Sequence, residues 1–389
     1  MTHEGAPAEA IDRLRLARTE GIGPVAWRRL IGRYGSAASA IDALPGLARA
    51  GGRSGAPRVP SRGTAEAEVA GVEKLGGRVL FLGEPGYPPL LALLADAPPV
   101  LAVLGEASAL SKRAVAIVGG RNASANGQRI AEELAGELAE AGLPIVSGMA
   151  RGVDAAAHKG ALETGQTVAA VAGGLDMPYP IQHRGLQARI AERGAVVTEA
   201  PLGTAPQARH FPRRNRIIAG LALGVVVIEA ALRSGSLITA RLALESGREL
   251  YAVPGSPLDP RTRGSNDLIR QGAHLVETGA DVLEHLPATA AVGEAASLFP
   301  PARSPKTGSP APSAAPEQGE DAEKPGEMSA ARAQILELLD SSPTTVDDLV
   351  RRCQFSAAAV NAVLLELEVA GRVELLPGDR VIVRSGTWG

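Results

Sequence analysis

The sequence predicts an α/β protein: a doubly wound parallel sheet with a small helical module before it and a winged helix after it. Three observations carry this. Between about residues 75 and 287, short apolar runs alternate with amphipathic helical stretches, the pattern of strands covered on both faces by crossover helices. Residues 288–328 are rich in Pro, Ala, Ser and Glu and read as a disordered, semi-extended tether. Beyond them, three helical segments end in a hairpin. At 389 residues the chain is long for one core, so two or three domains are expected.

Residues 9–50 read as short helices with Leu14, Leu16, Ile22, Val25, Leu30, Ile31 and Ile41 as their apolar set. Inside them, Gly21-Ile22-Gly23-Pro24-Val25 leads a glycine turn into a helix. It is either a helix-hairpin-helix (SAM-like) element whose amides take a phosphate, or a plain tight turn between packed helices. Residues 51–63, with Gly51, Pro57 and Pro60, form a linker. The first central strand is Ala114–Val118, with a helix from about Asn126 to Ala141. Further strands are expected at Pro144–Ser147, Thr167–Ala172, Ala195–Thr198, Val225–Ile228 and Leu250–Val253. After the tether, Ile335, Leu336, Leu338 and Leu339 mark one helix. Thr345, with Asp347 and Asp348 in the first turn, starts a second, and Ser356–Ala370 is a third. Gly371–Leu376 and Arg380–Val383 make the wing. The expected domains are therefore 1–60, 61–287, the linker 288–328, and 329–389.

Composition limits the function classes. Net charge is −2, so any nucleic-acid site must be a local patch. The single cysteine, Cys353, allows no internal disulfide, fits a reducing compartment and has no catalytic partner beside it. The start, Met1-Thr2-His3-Glu4-Gly5, lacks the apolar core of a signal peptide. The longest apolar run, Ala219 to Ala230, is broken by Glu229 and is too short to span a bilayer. A cytoplasmic protein with no membrane partner is expected.

Ligands of such sheets lie beyond the carboxyl ends of the strands. The loops expected there are glycine-rich: Gly119-Gly120-Arg121, Ser147-Gly148-Met149-Ala150-Arg151-Gly152, Gly173-Gly174-Leu175 and Ser234-Gly235-Ser236. Several such loops on one edge favour phosphate, with Arg121 and Arg151 adding charge. A dinucleotide is excluded because the first loop has no third glycine until Gly127 and no acidic residue closes the second strand. No G-x-x-x-x-G-K-[ST] is present, which excludes a P-loop. His158 and His183 lack metal-ligand spacing, and His158 reads as a packing residue. No metal or cofactor is expected.

The most informative stretch is Ala205–Ile217. Arg209, Arg213, Arg214 and Arg216 surround Phe211 in a chain where aromatics are 3% of residues. Cations for phosphates beside a ring for a base suit a sequence-tolerant single-strand binder. The alternative is a solvated basic helix start with Phe211 plugging the core.

Five ordered strings then resemble the DNA-processing protein DprA (Smf) family. They are Gly119-Gly120-Arg121, Ser147–His158, Phe211–Leu221, Ser234–Ala240 and Val253-Pro254-Gly255, preceded by Gly86-Tyr87-Pro88-Pro89-Leu90 and Ala97–Leu101. The resemblance covers roughly residues 80–286. It implies a Rossmann-like central domain and a mediator rather than an enzyme. Such a mediator needs no cofactor, binds and protects single-stranded DNA in natural transformation, helps load the recombinase RecA, and forms a homodimer. Carried over, Arg121 would stack on a base or meet a phosphate, and Phe211 would line the nucleotide pocket. Arg209, Arg213, Arg214 and Arg216 would form the cationic track, and Ser147, Gly148 and Arg151 the phosphate loop. Gly120, Ser234 and Gly235 complete the implied DNA-binding set. Two positions depart from the family: Gly120 stands where Ser or Thr is usual, and His183 replaces an Asn after Tyr179-Pro180. The third C-terminal helix carries Glu366 and Glu368 and no Lys or Arg, which argues against groove reading.

Two rivals remain. A LOG-type phosphoribohydrolase would need a Pro-Gly-Gly-x-Gly-Thr-x-x-Glu loop, whereas Ser234–Ala240 stands here and Glu245 comes too late. A small-ligand binder would hold mononucleotides with little salt dependence.

Overall fold

The computed structural model describes residues 8–287, 325–340, 342–376 and 378–384. Most of the expected tether therefore lies outside the described residues, and the helix that follows it starts at Pro325, inside the stretch read as linker. The described residues divide into two compact units: 8–62 together with those from 325 on, and 63–287.

In the first unit, α1 (Ala8–Ala17), α2 (Pro24–Tyr34) and α3 (Ala37–Ala50) bury Leu14, Leu16, Leu30 and Leu44 completely. Gly21 takes a φ of 84° in the turn between α1 and α2, open only to glycine at low cost. Pro24 then opens α2, where a missing N–H costs nothing.

The second unit starts with α4 (Arg62–Lys74), the hairpin strand β1 (Gly77–Phe81), α5 (Pro89–Ala92) and β2 (Val100–Gly105). The alternating part follows as β3 (Val115–Gly119), α6 (Ala125–Glu140), β4 (Ile145–Ser147), α7 (Val153–Thr164), β5 (Thr167–Ala170), α8 (Arg184–Arg193) and β6 (Ala195–Thr198). It ends with α9 (His210–Leu221), β7 (Gly224–Ile228), α10 (Ser236–Glu245), β8 (Glu249–Ala252), α11 (Arg263–Arg270), β9 (His274–Leu275) and α12 (Gly279–His285). The nine strands lie in the order β1-β2-β6-β5-β4-β3-β7-β8-β9. Seven strands, β6 through β9 in that order, run parallel, but β1 pairs antiparallel with β2 and β2 antiparallel with β6. The sheet is thus mixed rather than wholly parallel. Ile117, Val226 and Ile145 are completely buried in the core, each worth roughly 1.5–3 kcal/mol of transfer free energy.

Back in the first unit, α13 (Pro325–Leu338), α14 (Val346–Arg352) and α15 (Ala357–Val369) carry a small sheet of β10 (Thr344–Thr345), β11 (Val373–Leu376) and β12 (Arg380–Val383). The winged helix is as expected, apart from β10, which pairs with β12. The side chains of Thr345 and Ser356 cap α14 and α15, each accepting an amide hydrogen bond at 3.1 Å. The third helix, α15, packs on α3. A Cβ at Gly51 would lie 2.1 Å from the Glu366 carbonyl oxygen, so the chain can pass there only as glycine.

Candidate nucleic-acid interface

Strand order reverses at β3. The chain winds outward through β4, β5 and β6, then returns to place β7 on the other side of β3, with Gly119 level with Ile228. Loops on either side of such a switch point diverge and leave a crevice at the strands' carboxyl ends. A cleft of about 850 Å³ opens there, lined by Gly120, Arg121, Tyr179, Phe211, Arg233 and Ser234 among others. Met149 and Glu229, at the ends of β4 and β7, hold left-handed φ values of 58° and 48°, strained backbone of the kind that gathers at functional sites.

Arg121 and Phe211 come together although 90 positions apart. The Arg121 guanidinium lies 4.9 Å from the centre of the Phe211 ring, and the exposed Arg121 forms no ion pair within the described residues. Phe211 is only partly buried, so it lines the cleft instead of plugging the core. Tyr179 meets it edge-to-face with ring centres 5.7 Å apart, while remaining 51% exposed. A cation and two rings thus share one rim, a geometry suited to stacking a flat π-system.

The expected cationic track divides in two. Arg209 and Arg213 are exposed at the start of α9, and Arg151 is exposed after β4. Arg214 and Arg216 are buried, 5% and 6% exposed; Arg216 is absent from the cleft lining and its expected DNA contact is corrected to a structural role, while Arg214 lines the cleft and is also held by the protein's own groups. Arg214 donates to the carbonyls of Gly148 and, at 2.6 Å, of Ala170, and through Nε to Asn215 Oδ1 at 3.2 Å. Burial, partly offset by Asp154, lowers its pKa to about 10. Arg216 pairs with Glu199, donates to the Asp96 carbonyl and lies 3.8 Å from Asp96 Oδ2. The Arg216 guanidinium is not free to meet a phosphate, whereas Arg214, though held through Nε and Nη1, still lines the cleft 5.9 Å from the centre of the Phe211 ring. Ser147 is corrected likewise: it is completely buried, and its hydroxyl donates to the Ile117 carbonyl at 2.6 Å. Gly148 is buried beneath Arg214, where a Cβ would fall 2.3 Å from Nη1. Its lack of a side chain makes room for that guanidinium, and it also lines a smaller cavity on the rim.

The amides expected to cradle phosphate are also partly taken. At the start of α6 the Ser124 hydroxyl accepts from Gly127 N at 2.9 Å, and the Glu229 carboxylate accepts from Ser124 N at 2.7 Å. At the start of α7, Asp154 accepts from Ala150 N at 3.2 Å. Burial raises the Asp154 pKa, with Arg214 and the backbone hydrogen bonds opposing it. Two internal carboxylates occupy the positions an anion would favour, which leaves the exposed arginines as the anion-seeking groups of the rim. Ser234 and Gly235 do line the cleft at the start of α10, and a Cβ built on Gly235 would meet nothing within 4 Å beyond its own chain neighbours.

This arrangement belongs to a recognisable lineage. A family model described as DNA recombination-mediator protein A matches residues 78–287. The chain belongs to the DNA recombination-mediator protein A family. Models of the DprA-like N-terminal HHH domain and the DprA winged helix domain match residues 7–71 and 308–379. Protein Smf of Escherichia coli is 39% identical over 300 residues, covering 77% of this chain and 75% of that protein. DNA processing protein DprA of Streptococcus pneumoniae is 46% identical over 198 residues, 51% of this chain and 70% of that one. The X-ray structure of the Streptococcus pneumoniae DNA processing protein A superposes with a TM-score of 0.60 at 35% identity, covering 72% of this chain and 98% of that chain.

The two departures from the DprA family pattern have local explanations. A Cβ at Gly120 would lie 2.7 Å from the Glu229 carbonyl oxygen, so a hydroxyl residue would not fit without a shift of backbone. His183 fixes its loop by a 2.9 Å hydrogen bond between Nδ1 and the Met149 carbonyl. Asn215 reaches the Gly235 carbonyl at 3.4 Å, tying α9 to the loop before α10. His158 is buried in full with Nδ1 2.7 Å from Thr167 Oγ1, and burial, with Arg214 and His183 nearby, drops its pKa to about 3. Sequence reasoning missed Tyr179, Arg233 and Arg261, which also line the cleft. Tyr179 left one legible signal: an aromatic in a strand-end loop of a chain with few aromatics.

Proposed function

We propose that this protein binds single-stranded DNA as a non-enzymatic mediator of DNA processing. One observation supports it above the others: the exposed Arg121 stands over the partly buried Phe211 at the mouth of the switch-point cleft. A base slides against the ring face while Arg121, Arg151, Arg209 and Arg213 attract the backbone phosphates. Duplex DNA keeps its bases stacked inside and cannot offer a free face to the ring, so the same rim disfavours it. In this reading the protein acts in the cytoplasm during natural transformation, protects incoming strands, works as a homodimer and hands the strand to RecA. The names of its relatives agree with a DNA-processing role.

Phe211→Ala tests the reading. Loss of one stacked base should cost about 1–3 kcal/mol of affinity while the salt slope stays unchanged. Wild-type affinity in the variant, measured by fluorescence anisotropy with an oligo-dT strand, would refute a stacking role.

A further inference from the structure

Beyond the main cleft, a second cavity of about 420 Å³ opens on the same rim. Its walls are Arg151, Tyr179, Ile181 and Gln182, and it shares Arg121 and Phe211 with the larger cleft. The pair that lines the first space therefore borders a second as well. Tyr179 belongs to both, is 51% exposed, and stands edge-to-face on Phe211 with centroids 5.7 Å apart. An edge-to-face contact leaves one tyrosine face free for a further flat group. Ile181, 58% exposed on the same loop, adds apolar surface, and Arg151 brings an exposed cation. The volume lies in the range of spaces that hold small planar ligands.

We propose that the second cavity takes a neighbouring base of the same single strand, stacked on Tyr179, while Arg151 meets the phosphate that links it to the base on Phe211. The strand then crosses the Arg121–Phe211 pair with one base on either side of it. This rests on the single-strand reading above and extends it to a second subsite.

The test uses the full chain and a fluorescein-labelled oligo-dT strand, with Tyr179→Ala, Tyr179→Phe, Arg151→Ala and Phe211→Ala compared over a salt series. Tyr179→Ala should weaken binding on the order of 5- to 150-fold, the loss of one stacked base, with the salt slope intact. Tyr179→Phe should bind as wild type, since the ring is kept. Arg151→Ala should lower the slope by about 0.7, one phosphate on a single strand. A Tyr179→Ala protein that binds as wild type while Phe211→Ala is impaired would overturn the second subsite and leave the first standing. If neither substitution weakens binding, the stacking reading itself falls, and the second subsite with it.

Discussion

Arg214→Ala separates a DNA contact from a structural one. Its guanidinium is buried, holds the carbonyls of Gly148 and Ala170, and is the main charge facing buried Asp154. Truncation leaves two carbonyls unpaired and a carboxyl without its counter-charge. Breaking a buried pair of this kind costs about 3–5 kcal/mol. For a unit of this size each kcal/mol moves the midpoint by roughly 2–4 °C, so the unfolding transition of residues 63–287 should drop by about 6–20 °C. Arg213 is the control, because it is exposed one position earlier. Arg213→Ala should melt within about 0.5 kcal/mol of wild type and lower the salt slope of single-strand binding by about 0.7. Differential scanning calorimetry gives the first quantity and anisotropy titration the second. An Arg214→Ala protein that melts as wild type but loses DNA would refute the structural assignment.

Two further outcomes concern the terminal unit. Burial raises the Glu368 pKa from 4.5 to about 8, so the folded state keeps a proton that the unfolded chain releases. Stability of this unit should then be full below about pH 4.5 and fall as pH rises towards 8; Glu368→Gln should flatten that dependence, read by thermal melts across pH. Gly51→Val places a side chain where the Glu366 carbonyl lies 2.1 Å from the Cβ, and overpacking should cost about 1–3 kcal/mol. Hydrogen exchange should speed up in α3 and α15 while the strands β3 and β7 keep their protection.

Much of the fold was legible because buried parallel strands announce themselves as unbroken apolar runs. Ala114–Val118 and Val225–Ile228 match β3 and β7 within a residue. The antiparallel edge of β1 and β2 was not legible, since its direction depends on a pairing that no local pattern states. The same limit divided the arginines. Arg213, Arg214 and Arg216 look equivalent in sequence, but the partners that bury Arg216 lie 17 and 120 residues away, at Glu199 and Asp96. The start of α6 shows the same limit: Glu229 reaches across 105 positions to accept from Ser124 N, a contact no local pattern states. The meeting of Arg121 and Phe211 on one rim was legible in two parts: Phe211 as a rare aromatic among arginines, and Arg121 as the cation of a glycine-rich strand-end loop.

The central claim is that one rim grips an unpaired strand by stacking and by charge. Its most direct test is a paired titration of single- and double-stranded oligonucleotides of equal length across a salt series. The account predicts tighter binding of the single strand, with affinity falling linearly on log–log axes as salt rises. Equal affinity for the duplex, or single-strand binding indifferent to salt, would contradict it.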